Sequence, residues 1–186
     1  MRFFETRTEK TELVILAFFV VWFLLTILAP LTLPAGSVED LSGSTGAIDN
    51  GDAIGEMNPL AAAIYTLGDA YCHQISERSY HLNGNQMPFC SRDEGIFLGL
   101  AIGMTVAVVT RYEISALVLI LGFAPIAIDG LVQLFTTYES SNPLRVITGL
   151  LAGTVFSLLI SLFVREIMGD RNAKRSIGEK KSPRGQ

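Results

Sequence analysis

Four long apolar stretches divide the chain of 186 residues. The stretches 13–33 and 142–164 reach the roughly 20 residues that a 30 Å hydrocarbon core requires. The stretch 114–135 is also long enough, although Pro125 should bend it because proline removes a backbone hydrogen bond. The stretch 95–110 is shorter, so the charged residues before it should lie at the headgroup boundary. The pattern predicts an all-α integral membrane protein with four transmembrane helices.

A further helix is predicted over 58–78, between the first and second spans. Asn58 is a favoured helix cap, and Pro59 is a favoured first helical residue. Four apolar residues then recur at helical spacing: Leu60, Ile64, Leu67 and Tyr71. This segment should lie at the membrane interface or re-enter the membrane on the outer side.

The connections between these elements have their own signals. Residues 34–57 are rich in glycine, serine and acidic residues, which predicts a flexible outer loop. The sequence from Ser91 to Glu94 is typical of a capping box, in which the serine bonds an orphan amide and the glutamate reaches back. The second span should therefore begin at Ser91.

Composition and charge support a membrane protein and give it an orientation. The chain is 49% hydrophobic and 17% charged, whereas soluble domains carry about 25% charge. Its net charge of −4 argues against nucleic-acid binding. Positions 11–77 hold no lysine or arginine, whereas the tail 165–186 holds seven basic and three acidic residues. Because basic residues collect on the cytoplasmic side, we expect a multi-pass cell-membrane protein with both termini, 1–12 and 165–186, in the cytoplasm.

Both cysteines and both histidines of the chain fall within 72–90, on the predicted outer side. A disulfide between Cys72 and Cys90 would close a loop of about nineteen residues and typically contribute 2–4 kcal/mol. A zinc site formed by Cys72, His73, His81 and Cys90 has suitable ligand types, but the adjacent Cys-His pair lacks the usual zinc spacing. We favour the disulfide over zinc, and free thiol or histidine chemistry is a third alternative.

Acidic residues near this Cys/His loop could support it. If the interfacial helix continues past Cys72, then Asp69, Cys72, His73 and Glu77 share one face. Asp93 follows Cys90 at the entrance of the second span. We expect Asp69, Glu77 and Asp93 to be supporting residues.

Polar residues also gather at the outer ends of the spans. Asp129 lies roughly 9 Å from the outer end of the third span, with Gln133 one turn away on the same face. A charge inside a span indicates a function and a partner, and Arg145 in the fourth span is the expected partner. A purely structural salt bridge between Asp129 and Arg145 is the alternative. Together with Arg92, these residues predict an outward-facing anion site, to which Arg78 is a further candidate.

Small residues predict how the helices pack. Repeats of a small residue every fourth position allow close backbone approach between helices. They occur as Gly95, Gly99 and Gly103 in the second span, and as Gly149, Gly153, Ser157 and Ser161 in the fourth. These two spans should therefore pack closely, which would bring Arg92 and Arg145 together.

Three segments resemble one known family. "CHQISERSYHLNGNQMPFCSRDEGIFLG", "PIAIDGLVQLF" and "ESSNPLRVITGLLAG" are similar to the prokaryotic membrane proteins called domain of unknown function 2085. The likeness covers 65–153 and rests on the Cys-His-Gln, Glu-Arg-Ser, Cys-x-Arg-Asp, Asp-Gly and Asn-x-x-Arg elements in that order. It implies a small polytopic membrane protein and supplies no activity or substrate.

Two function classes remain open at this point. An enzyme or transporter could act on an anionic lipid or another phosphate-bearing ligand, because arginines grip phosphate oxygens in a bidentate manner. In it, Arg92 and Arg145 would bind the anion, and Asp129 would act as a catalytic base or as a counter-charge. Alternatively, the chain is a membrane scaffold or assembly factor, and its Cys/His loop is structural.

Overall fold

The computed structural model describes residues 7–110 and 115–181, without the side chains of residues 7, 116 and 169–181. A two-stranded antiparallel ribbon pairs His81 with Gln86 and Leu82 with Asn85, after a short 3-10 turn at Ser76–Arg78. The elements are α1 (Arg7–Leu31), α2 (Gly51–Gly55), α3 (Pro59–Tyr71), β1 (His81–Leu82), β2 (Asn85–Gln86), α4 (Ser91–Thr110), α5 (Ala116–Phe135) and α6 (Asn142–Lys181).

Four of these helices are long and apolar enough to cross a membrane, which confirms the predicted fold class. The candidate spans are Thr8–Leu31, Ser91–Thr110, Leu117–Phe135 and Asn142–Met168. Pro125 lies within α5 as the sequence indicated. The distribution of basic residues also predicts a short cytoplasmic turn at 111–113, which falls outside the described residues.

The closest helix packing joins α4 to α6, as the small-residue repeats predicted. A side chain at Gly95, Gly99 or Gly103 would collide with the α6 backbone. A side chain at Gly149 or Gly153 would collide with the α4 backbone in turn. Each helix therefore presents its backbone directly to the other, and their first turns lie side by side.

The segment between α1 and α3 is anchored, in contrast to the flexible loop expected for 34–57. Val38 and Leu41 are buried in the apolar core of the outer region. Their backbone amides donate to the side-chain oxygens of Asn85 (3.0 Å) and Gln86 (3.0 Å), both fully buried. Two buried amide side chains of the β-ribbon thus fix this segment over the end of the bundle.

Helix α3 begins as predicted but ends earlier. The Asn58 side chain accepts hydrogen bonds from the amides of Leu60 and Ala61, with Pro59 in the first turn. The helix stops at Tyr71, and Cys72 is already extended. Because no helix continues through 72–78, Glu77 does not share a face with Asp69 and Cys72, and that prediction was wrong.

Helix α4 begins at Ser91, but not through a capping box. The Ser91 hydroxyl lies 2.7 Å from the Asn142 side-chain oxygen and 2.5 Å from the Arg78 carbonyl. The Glu94 carboxylate accepts a hydrogen bond from Thr26 of α1 (2.9 Å) instead of reaching back. Ser91 thus joins the starts of α4 and α6 to the outer region.

Candidate functional site

A cavity of about 230 Å³ opens at the end of the bundle where α4 and α6 begin. Three arginines reach its wall: Arg78 from the outer region, Arg92 from α4 and Arg145 from α6. Cys72, His73, Gln74, Cys90 and Asp93 also line it. The structure therefore gathers most of the sequence-predicted site residues around one space.

Arg92 owes its position to α5. Its guanidinium forms an ion pair with Asp129, which is 6% exposed. The Nε atom of Arg92 is buried and has no hydrogen-bond partner in the part of the chain that the structure describes. Asp129 does not line the cavity, so it acts on the cavity through the arginine that it holds.

Arg145 is reached from Asp129 through a third side chain. Gln133 donates to the Asp129 carboxylate (2.8 Å), and its oxygen accepts from Arg145 Nη2 (3.0 Å). The sequence predicted a direct pair between Asp129 and Arg145, whereas the direct partner of Asp129 is Arg92. The physical reason is that α4 packs against α6 closely enough to bring Arg92 to α5. The four side chains form one chain in the order Arg92, Asp129, Gln133, Arg145.

The guanidinium of Arg145 is hydrogen-bonded to neutral groups and reaches Asp129 only through Gln133. The residue is only 3% exposed, and its Nε donates to the Ser140 carbonyl (2.9 Å). Both observed acceptors, Ser140 and Gln133, are neutral. Among the side chains that the structure describes, no carboxylate lies within 4.0 Å of its guanidinium. A buried cation with neutral acceptors is costly unless an anion approaches it.

Arg78 lines the cavity from the outer region and is partly exposed. Its Nη2 atom lies 2.6 Å from the Glu139 carboxylate in the α5–α6 connection. The hydrogen bond and positive charge of Arg78 hold the pKa of Glu139 below its usual value. Glu139 is itself exposed, so this ion pair lies at the surface of the molecule.

The two thiols lie together beside a carboxylate. Ligand atoms of Cys72, Cys90 and Asp93 all lie within 4.8 Å of one another, and Cys90 Sγ is 3.2 Å from Asp93 Oδ2. Both cysteines are free thiols in this structure, so their pairing as a disulfide stays a prediction. A hydrogen bond from Cys72 lowers the pKa of Cys90, whereas the same bond and burial raise the pKa of Cys72.

The predicted histidine and acidic partners do not all lie at the cavity. His73 lines the cavity, and its Nδ1 atom lies 3.2 Å from the Gly43 carbonyl oxygen. His81 is exposed on β1, away from the cavity wall.

Asp69 is buried and accepts hydrogen bonds from the backbone and side chain of Asn50, so it anchors the 34–57 segment. Glu77 is exposed. Of the three expected supporting residues, only Asp93 lies with the thiols.

Gln74 is a site residue that sequence reasoning missed. It is completely buried, it lines the cavity, and its backbone has a φ of +45°. Its Nε2 atom donates to the Pro88 carbonyl (2.8 Å), while its Oε1 atom is buried without a partner among the described residues. The signal in the sequence is the Cys-His-Gln element, in which Gln74 directly follows the thiol and the imidazole.

Comparison with known proteins gives a family and no activity. The model of a family described as predicted membrane protein, domain of unknown function 2085, matches residues 72–159. An uncharacterized protein of Methanocaldococcus jannaschii is 28% identical over 165 residues, which are 86% of this chain and 96% of that protein. An uncharacterized protein of Methanothermobacter thermautotrophicus is 34% identical over 100 residues, 52% of this chain and 90% of that protein. No solved structure matches the chain.

Proposed function

We propose that the bundle of this chain, which belongs to the family of predicted membrane proteins called domain of unknown function 2085, presents a membrane-edge binding site for a phosphate group. The ligand is an anionic lipid or another phosphate-bearing molecule, and the protein acts on it as an enzyme or a transporter. The cavity lined by Arg78, Arg92 and Arg145 is the binding site.

The observation that carries this proposal is the buried guanidinium of Arg145. Both observed acceptors of this group are neutral, although it is 3% exposed. Burying a cation without a contacting anion costs up to several kcal/mol, and Asp129 reaches Arg145 only through Gln133. A phosphate oxygen in the cavity would supply the missing negative charge and accept charge-assisted hydrogen bonds.

A second arginine strengthens the site. Arg92 Nε is a buried donor without an acceptor within the described ranges, and Arg92 lines the same cavity. Two guanidinium groups can bind two or more oxygens of one phosphate, which a single lysine-like point charge cannot do. Asp129 holds Arg92 in place, and this location supports the role of a counter-charge over that of a general base.

The position of the cavity favours a ligand from the membrane surface. It lies at the start of two candidate spans, where the headgroups of a bilayer would be. Tyr71, which is 77% exposed, forms part of its wall, and tyrosine is enriched at membrane interfaces. A lipid phosphate could enter this cavity without leaving its own depth.

The orientation of the bundle is part of the proposal. The distribution of basic residues supports a cytoplasmic location for both termini and an outer location for the cavity. An Ile48→Cys variant and a Lys10→Cys variant, each without the native cysteines, place one exposed thiol at either end. An impermeant thiol reagent should label position 48 in intact cells and leave position 10 unlabelled; the reverse pattern contradicts the orientation.

Direct binding measurements test the site. Titration of purified protein with inorganic phosphate, and of protein in nanodiscs with phosphatidylglycerol or phosphatidylcholine, separates a soluble ligand from a lipid. We expect Arg145→Gln to weaken binding by at least about tenfold, which corresponds to about 1.4 kcal/mol. Arg145→Lys should also weaken phosphate binding, because the point charge of an ammonium group replaces a planar guanidinium that binds two oxygens at once.

Controls keep this test independent of folding. Lys10→Gln removes an exposed cation at the other end of the bundle and should leave binding unchanged. The melting temperature of each variant shows whether the bundle survives. A folded Arg145→Gln protein that binds phosphate and anionic lipid as the wild type does would overturn the proposal and favour a scaffold.

A further inference from the structure

The cluster of Cys72, Cys90 and Asp93 has the composition of a metal site. Two cysteine sulfurs and a carboxylate oxygen lie within 4.8 Å of one another, a spread that a single ion bridges with ligand distances of about 2.0–2.3 Å after small side-chain movements. Cys90 and Asp93 are one helical turn apart at the start of α4. Cys72 reaches them from the extended segment after α3.

The carboxylate distinguishes a metal from a disulfide. A disulfide needs two sulfurs and gains nothing from an acidic group 3.2 Å from one of them. For a cation, the same carboxylate is a third ligand and part of the charge balance. The arrangement of three oxygen and sulfur donors therefore fits a cation better than it fits a structural cross-link.

The surroundings leave the cluster open on one side. All three residues line the same cavity, so an ion held by them would keep a coordination position facing solvent or ligand. Three protein ligands with one open position are typical of catalytic zinc, whereas structural zinc sites are closed by four. His73 lines the same cavity, with Nδ1 3.2 Å from the Gly43 carbonyl oxygen.

We propose that Cys72, Cys90 and Asp93 bind a zinc ion whose open coordination position faces the arginine-lined cavity. Two thiolates and a carboxylate carry three negative charges against the two positive charges of the ion. Arg145 on the cavity wall offsets the one remaining negative charge, since Arg92 is already paired with Asp129. Thiolate donors select zinc over magnesium or calcium, which prefer oxygen ligands. This set omits His81, which the sequence had offered as a ligand.

Metal analysis of the purified chain tests this proposal. Protein purified under reducing conditions with zinc in the medium should hold about one zinc per chain by elemental mass spectrometry. Cys72→Ser and Cys90→Ser should each abolish that content. Asp93→Asn should lower the zinc affinity by more than roughly 10- to 100-fold, which is the loss when only a hydrogen-bond partner of a ligand is removed. His81→Ala is the matched control and should retain zinc.

Cobalt substitution provides a second readout that does not depend on activity. Co²⁺ bound by Cys72 and Cys90 should show thiolate-to-metal charge-transfer absorption, and either serine variant should reduce it. Melting temperatures of the metal-free proteins show whether a variant has lost its fold. A folded variant that loses the absorption supports direct ligation.

Three results would overturn the proposal. They are a linked Cys72–Cys90 peptide without zinc under non-reducing conditions, free thiols without zinc at saturating zinc concentrations, and zinc retained by both serine variants. Each result leaves the phosphate proposal standing, because Arg145→Gln tests that binding separately. Conversely, loss of phosphate binding in Arg145→Gln with unchanged zinc content separates the two sites.

Discussion

Arg92 of α4 pairs with Asp129 of α5, so an ion pair joins two helices at the cavity end of the bundle. Asp129 also accepts from Gln133, which binds Arg145 in turn. The pair therefore has two effects, because it fixes α5 against α4 and orients both cavity arginines.

Replacing Asp129 should lower the free energy of unfolding of the bundle and release Arg92 from its position at the cavity. Asp129→Asn leaves Arg92 without its anion, and loss of a partner to a buried polar group costs roughly 1–3 kcal/mol. Chemical unfolding in mixed micelles measures this change. Glu139→Gln removes an exposed carboxylate from Arg78 and should have little effect on stability. Equal stability losses in the two variants would contradict the role assigned to Asp129.

The α4–α6 contact should be intolerant of a single methyl group. Gly99→Ala places a Cβ against the α6 backbone and should cost roughly 1–3 kcal/mol through overpacking. A Cβ at Gly130 in α5 would meet no side chain or neighbouring helix within 4 Å among the described residues, so Gly130→Ala should be neutral or stabilising by up to about 1 kcal/mol. The same unfolding assay compares the pair. A Gly99→Ala protein as stable as Gly130→Ala would show that the helices are farther apart.

The outer segment should detach when its buried anchor is removed. Gln86 accepts from the Leu41 amide (3.0 Å) and donates to the Gln74 carbonyl (2.6 Å). Gln86→Ala leaves both groups without these bonds, at about 1–3 kcal/mol for each that stays buried. Limited proteolysis followed by mass spectrometry should show faster cleavage within 38–46. His81→Ala, an exposed neighbour on the ribbon, should cleave at the wild-type rate.

The two thiols should differ in their pH-dependent reactivity when reduced and metal-free. A hydrogen bond from Cys72 lowers the pKa of Cys90. The Cys90 thiolate should therefore form at a lower pH than the thiolate of an ordinary cysteine, whose pKa is about 8.5. Cys72 should react only at higher pH, because its bond to Cys90 and its burial raise its pKa. Iodoacetamide labelling across pH, resolved by peptide mass spectrometry, measures both profiles.

Removing the donor provides the control for this experiment. Cys72→Ala should move the Cys90 profile to higher pH, because the thiolate loses the bond that stabilises it and burial then dominates. Identical profiles for the two cysteines in the wild-type protein would contradict the assigned hydrogen bond.

The sequence predicted those features that depend on local or repeated properties. Apolar length alone identifies the four spans, because each span must be covered by its own run of residues. The Asn58-Pro59 start is local in the same way. The glycine repeats predicted the α4–α6 contact, since only small side chains allow backbones to meet.

The details of the cavity depended on contacts between distant segments. The end of α3 at Tyr71 separates Asp69 from the thiols, and Gln74, at a φ of +45°, is held by the Pro88 carbonyl. No glycine or proline in 72–78 announces that break. The predicted helix therefore runs past Tyr71 into residues that are not α-helical.

The sequence by itself determined which residues carry charge or sulfur, and it placed them near one end of a four-helix membrane bundle. Only the tertiary structure decided that Arg92, and not Arg145, pairs with Asp129, and that Asp93 joins Cys72 and Cys90 while His81 stays apart. The reason is physical: ion pairs and ligand sets require approach within about 4 Å, so they depend on how each helix is rotated and where each loop returns. The order of residues along the chain does not fix these two features. The close α4–α6 packing sets the helix rotation, and the buried Gln86 sets where the outer loop returns.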